Sequence, residues 1–136
     1  LMSHLLMTVE GANQCLAGGL ILPTGAAQQR EFGLPVSLYG ESDGVSEAVT
    51  AELAMRCRER FGADFGLAIT TDRDGVQAGV DSSSPAAWVG LASGEGVRTV
   101  AVHRLANPNI HRSRTVKTAL NQLRLYLSEH GDRKSG

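Results

Sequence analysis

The sequence predicts an α/β protein: a three-layer α/β/α domain around a mixed, mostly parallel sheet that contains one antiparallel hairpin. Three observations predict it. Residues 46–61 and 114–127 carry apolar side chains at helical spacing. Short apolar runs of strand length alternate with the helical segments. Between the last two runs, Ser93-Gly94-Glu95-Gly96 is a natural hairpin turn.

Taken in order, residues 1–7 read as a short, mostly apolar helix, followed by a polar turn at Glu10-Gly11-Ala12-Asn13. Leu1 opens inside this apolar stretch, so the expectation is either that residues precede it or that the start is unusual. Cys15 to Leu22 is an apolar strand interrupted by Gly18 and Gly19, and Pro23 ends it because proline cannot donate to a continuing ladder. Ala26 to Phe32 is a short helix closed by Gly33. Ser46 caps the clearest helix, Glu47 places negative charge at the positive end of its dipole, and Val49, Leu53, Cys57 and Phe61 form its apolar stripe, widened by Ala48 and Met55. Gly62 supplies the left-handed residue that stops it. Phe65 to Thr71 reads as a buried strand, and Ala87–Ala92 with Val97–His103 as the hairpin. Val116, Ala119, Leu120, Leu123 and Leu127 define the last helix, Arg114 to Leu127. The 136 residues fit one domain, 1–131, with 132–136 as a disordered tail.

Composition excludes several classes of function. A net charge of −1 argues against a nucleic-acid surface, which needs a basic excess. No apolar run reaches membrane-spanning length and no segment reads as a signal peptide, so no membrane partner is expected. Cys15 and Cys57 lie far apart without ligand spacing, which suits reduced thiols in the cytoplasm. The four histidines show no pair at i, i+4 and no neighbouring cysteine. Asp72-x-Asp74-Gly75 lacks the third acidic position and closing glutamate of a calcium loop. Neither a metal nor a cofactor is therefore expected, and a homo-oligomer is the ordinary expectation for such a domain.

The candidate site lies at the end of the strand 65–71. Ligands of open α/β sheets bind beyond the carboxyl ends of the strands. There Thr70, Thr71, Asp72 and Arg73 offer hydroxyls, a carboxylate and a guanidinium that could hold a polar, nucleotide-like small molecule; the competing reading is a solvated turn. Gly18 and Gly19 could let a ligand approach the backbone, or could serve tight packing. Arg112, Arg114 and Lys117 gather at the expected start of the last helix, where an anion would meet cations and free amides, or where they form a solvated face. No serine sits in a glycine-flanked elbow, and neither lysine sits where burial is expected. By chemistry alone the chain reads as a binding or scaffold domain.

Read continuously, the chain resembles the CinA carboxy-terminal family, whose active members include nicotinamide mononucleotide amidohydrolases. Leu1 through Leu34 lie without a gap along the family pattern L-x-x-x-L-T-x-x-P-G-S-S-x-x-F-x-G-G-x-x-x-Y-S-N-x-x-K-x-x-x-L-G-V, with Gly11 on its turn glycine, Gly18-Gly19 on its strand glycines and Gly33-Leu34 on its L-G-V. The family's G-A-V-S-E-x-V-A is similar to Asp43–Thr50. Its R-x-x-x-G-A-D-x-x-x-A-x-T-G resembles Arg58–Thr71. Its G-x-V-x-[IV]-A strand looks like Ala87–Ala92, and its closing R-x-x-x-A-L-x-x-L looks like Arg114–Leu123.

The resemblance implies the α/β/α fold and an ancestral amidohydrolase site, from which this sequence departs. The hallmark A-E-S-C-T-G-G, bearing the family's proposed serine nucleophile, would fall before Leu1. The tyrosine, serine, asparagine and lysine of Y-S-N-x-x-K fall on Pro23, Thr24, Gly25 and Gln28, and the glycine-rich T-G-I-A-G-P-x-G-G loop becomes Thr70–Gly75. Gln28 cannot act as a base or as a cation beside a hydroxyl. The expectation is a domain that no longer hydrolyses and instead binds, regulates or oligomerises. The alternative is an active amidohydrolase whose serine lies upstream, using a variant constellation around Thr24, Thr70 and Thr71; Thr24, Gln28 and Thr70 are the catalytic candidates within this chain.

Overall fold

The computed structural model describes all residues except 41–43, 72–84, 104–106 and 132–136. Among the described residues nine elements follow in order: α1 (Met2–Met7), α2 (Ala12–Cys15), α3 (Gly25–Phe32), a 3-10 turn (Val36–Leu38), α4 (Glu47–Arg60), β1 (Gly66–Thr71), β2 (Ala87–Ser93), β3 (Gly96–Val102) and α5 (Pro108–Gly131). Local chemistry fixes the helix ends. Thr24 Oγ1 accepts from Ala27 N at 3.1 Å to start α3, and Ser46 Oγ accepts from Val49 N at 3.1 Å to start α4. Gly33 (φ 65°) and Gly62 (φ 57°) take the left-handed conformations that end them.

The chain is an α/β fold whose described strands form one sheet in the order β1-β2-β3. β1 pairs antiparallel with β2 from Gly66↔Ala92 to Thr71↔Ala87, and β2 with β3 from Ala87↔Val102 to Ser93↔Gly96. The hairpin is as expected; among the described residues both pairings are antiparallel, so the mostly parallel sheet is not seen there. An antiparallel return from β1 to β2 needs no crossover helix. The expected strand at 15–22 also differs. Cys15 closes α2, and residues 16–22 are extended without a ladder partner among the described residues. Ile21 there is 90% exposed.

Strand alternation divides the core. Ala68 and Ala92 face Val49, Leu53 and Ala54 of α4, joined by Leu34 and Tyr39. Ala87, Val89 and Val102 face Ala119 of α5, with Met2, Leu67 and Ile69 against them. Helix α4 thus covers one face and α5 the other. Small residues let α4 approach closely: a Cβ at Gly66 would overlap the Ala54 backbone oxygen, and one at Gly90 would lie 3.1 Å from Thr50 O. Helix α5 begins at Pro108, earlier than its apolar stripe suggests, because Asn107 Oδ1 accepts from Asn109 N at 2.9 Å and starts it there. Arg112, Arg114 and Lys117 therefore sit in its second and third turns and not at its first amides.

Candidate functional site

Both long helices point their N-termini at the carboxyl edge of β1. Along α4, Arg58 and Ala54 meet Gly66 while Thr50 meets Thr70, so the helix runs against the strand and starts beyond its end. Along α5, Tyr126 stacks edge-on against Phe65 at 5.4 Å, while Ala119 packs with Ala87 and Val89. From Tyr126 back to His111 the helix rises about 22 Å, and from Phe65 to Thr71 the strand extends about 20 Å. Strands β1 and β3 both end at this edge, and α5 starts six residues after Val102, so His111 lies in the turns of α5 nearest it. Helix N-termini carry partial positive charge, so this edge favours anions.

Helix α3 brings Gln28 to the same edge. Gln28 is 6% exposed; its Nε2 donates to Leu22 O at 3.4 Å, and its Oε1 has no hydrogen-bond partner. The amide rests on Gly44, two residues before the cap of α4. A Cβ at Gly44 would lie 2.8 Å from Gln28 Oε1, and its φ of 86° independently favours glycine. A buried acceptor left unmatched is costly, and such atoms in a native fold call for a reason.

The hydroxyls behave differently. Thr50 Oγ1 donates to Ser46 O at 2.6 Å, which commits its only proton. The 2.7 Å contact between Thr50 Oγ1 and Thr70 Oγ1 is therefore donated by Thr70. Both residues are buried, so Thr70 lies at the edge with its proton directed into the fold. Thr24 spends an acceptor lone pair on capping α3. Thr71 is exposed, and its Oγ1 donates to Ala86 O at 3.5 Å. Asp72 and Arg73 lie outside the described residues. Gly18 packs against the Phe61 ring, near the start of β1, and Gly19 sits beside Ser3. The structure thus gathers Thr24, Gln28, Thr70 and Thr71 toward one edge and leaves Gly18 at the other end.

Sequence reasoning passed over Thr50 and His111. His111 is 8% exposed, and neither ring nitrogen has a partner. The signal was its spacing: His111, Thr115 and Ala119 share the buried face of α5 at i, i+4, i+8. A separate open cavity of about 760 Å³ is lined by Arg114, Lys117 and neighbours on the opposite, solvent face of α5. Among the described residues no group of three His, Cys, Asp or Glu could hold a metal, and no helix is long and apolar enough to cross a membrane.

The family model described as the CinA C-terminal domain matches residues 1–127. The chain belongs to this family. A CinA-like protein of Gemmatimonas aurantiaca is 31% identical over 93% of this chain, which spans only 30% of that relative's length. A nicotinamide-nucleotide amidohydrolase PncC of Pseudomonas putida is 32% identical, over 85% of this chain and 72% of the relative. A CinA superfamily structure from Escherichia coli superposes with a TM-score of 0.78 at 25% identity, covering 90% of this chain and 71% of that one. One from Enterobacter cloacae gives 0.81 at 21% identity, covering 93% and 75%, and supports the fold alone. The α/β fold and the relation of this CinA domain to PncC are thereby established.

Proposed function

We propose that this CinA domain is a non-hydrolytic member of its family, binding a nucleotide-like small molecule at the carboxyl edge of β1 in the cytoplasm as a regulatory or oligomerisation module. The observation that carries the reading is Gln28: a neutral amide, buried with its oxygen unmatched, at the place where the family pattern has a lysine. A carboxamide cannot take a proton from a hydroxyl or stabilise an alkoxide as an ammonium would. The nearby hydroxyls are also occupied, Thr24 as a cap and Thr70 in its bond to Thr50. An unmatched acceptor beside helix N-termini suits a ligand with an N–H or O–H donor and a negative charge. We read the full domain as three layers, with residues 18–22 running parallel beside β1. Gly18 meets Phe61 near the start of β1, and Leu22 meets Gln28 near its end.

Isothermal titration of the full chain with nicotinamide mononucleotide, followed by product analysis, tests this. The expected result is saturable binding with the nucleotide recovered intact. Absence of binding contradicts the reading. Recovery of nicotinic acid mononucleotide instead supports the second reading, an active amidohydrolase with its serine upstream, which the similarity to PncC favours.

A further inference from the structure

His111 has no structural reason to be a histidine. Its ring is nine-tenths buried, yet neither Nδ1 nor Nε2 finds a partner. A neutral imidazole carries one donor and one acceptor, and burying both unmatched opposes folding. The polar neighbour one turn away is spoken for, since Thr115 Oγ1 donates to the His111 carbonyl at 2.8 Å. The core against this face of α5 is otherwise apolar, built from Ala87, Val89, Val102 and Ala119. A leucine would fill such a place with less penalty. Residues that break a local rule without a structural return mark functional positions.

The position suits an anion. His111 lies in the opening turns of a 24-residue helix that follows β3 from the edge where β1 and β3 both end. Asn107 Oδ1 occupies the amides of Asn109 and Ile110, at 2.9 and 3.4 Å, and Asn107 O takes that of His111 at 2.9 Å, which leaves the imidazole as a donor of this turn still without a partner. The geometry points to His111 as an anion-binding residue that donates a ring N–H to the phosphate group of a phosphorylated small molecule. This rests on the carboxyl edge being a ligand site, and adds the element that selects a phosphorylated ligand over its dephosphorylated counterpart.

The experiment compares the parent chain with His111→Leu and His111→Gln, using inorganic phosphate, nicotinamide mononucleotide and nicotinamide riboside as probes. Binding is followed by titration and by the nitrogen-15 shifts of the imidazole. His111→Leu is expected to melt higher than the parent yet bind phosphate and the mononucleotide at least tenfold more weakly, with no change toward the riboside. His111→Gln keeps a donor and is expected to fall between. Parent-level mononucleotide affinity in His111→Leu overturns the assignment of His111 while leaving the site itself standing. Failure of the parent to bind any of the three overturns both.

Discussion

Replacing Gln28 by methionine removes a penalty the fold now bears. The residue is 6% exposed and its Oε1 is unmatched, a state that costs about 1–3 kcal/mol. The bond lost in exchange is Nε2 to Leu22 O at 3.4 Å, long for an N–H···O contact and worth about 0.5 kcal/mol. Leu22 is half-buried, so water can serve its carbonyl. Methionine matches the length of glutamine and adapts to irregular space. The balance is a gain of about 1 kcal/mol. With an unfolding entropy of about 2.1 cal/mol/K per residue, a chain of 136 residues gains about 3–4 °C in Tm. Thermal melts by circular dichroism in phosphate-free buffer measure this, and titration should show mononucleotide binding weakened at least tenfold. A lower Tm with binding intact would refute the reasoning, because the amide would then be serving the fold.

Thr50→Val should destabilise more than Thr70→Val: the first strands the Thr70 proton in the core, about 1–3 kcal/mol, whereas the second leaves only a lone pair of Thr50 unmatched. Urea midpoints of the two variants rank them. Gly66→Ala forces its Cβ into the Ala54 carbonyl and should cost about 3 kcal/mol, a fall of about 10 °C in Tm. Burial pushes the Cys57 thiol above its ordinary 9.0, opposed by the Arg60 guanidinium, and burial raises the Tyr39 phenol above 10.0. The folded chain holds these protons more tightly than the unfolded one, so stability should be intact below about pH 9 and fall as pH rises through the raised values. At pH 8 a thiol reagent should modify exposed Cys15 well before Cys57.

Much of this fold was legible because its signals are local. The stripe of Val49 and Leu53, the Ser46 cap and the Gly62 stop locate α4 to within a residue, and the turn at 93–96 locates the hairpin. The sense of β1 was not legible, since an antiparallel return and a parallel crossover leave the same apolar run in the sequence. Cys15 to Leu22 reads as a strand on composition, but pairing is a tertiary property, and the described residues offer it no ladder. Asn107, the cap that starts α5, precedes a proline and was passed over, so the cations of that helix were assigned to the wrong turn.

The site divides in the same way. Gln28 was visible as a departure from a family pattern. Its unmatched oxygen was not, because burial and the close approach of Gly44 emerge only when α3 meets the start of α4. The proton direction in the Thr50–Thr70 pair likewise depends on residues 20 positions apart. His111 reads as an ordinary surface histidine until α5 is placed over the end of β1.

The most direct measurement is ammonia release from nicotinamide mononucleotide by the full chain, followed continuously at saturating nucleotide. With an amide at position 28 in place of a cation, release should not exceed the uncatalysed background. Steady release that saturates with nucleotide and scales with protein concentration would contradict it.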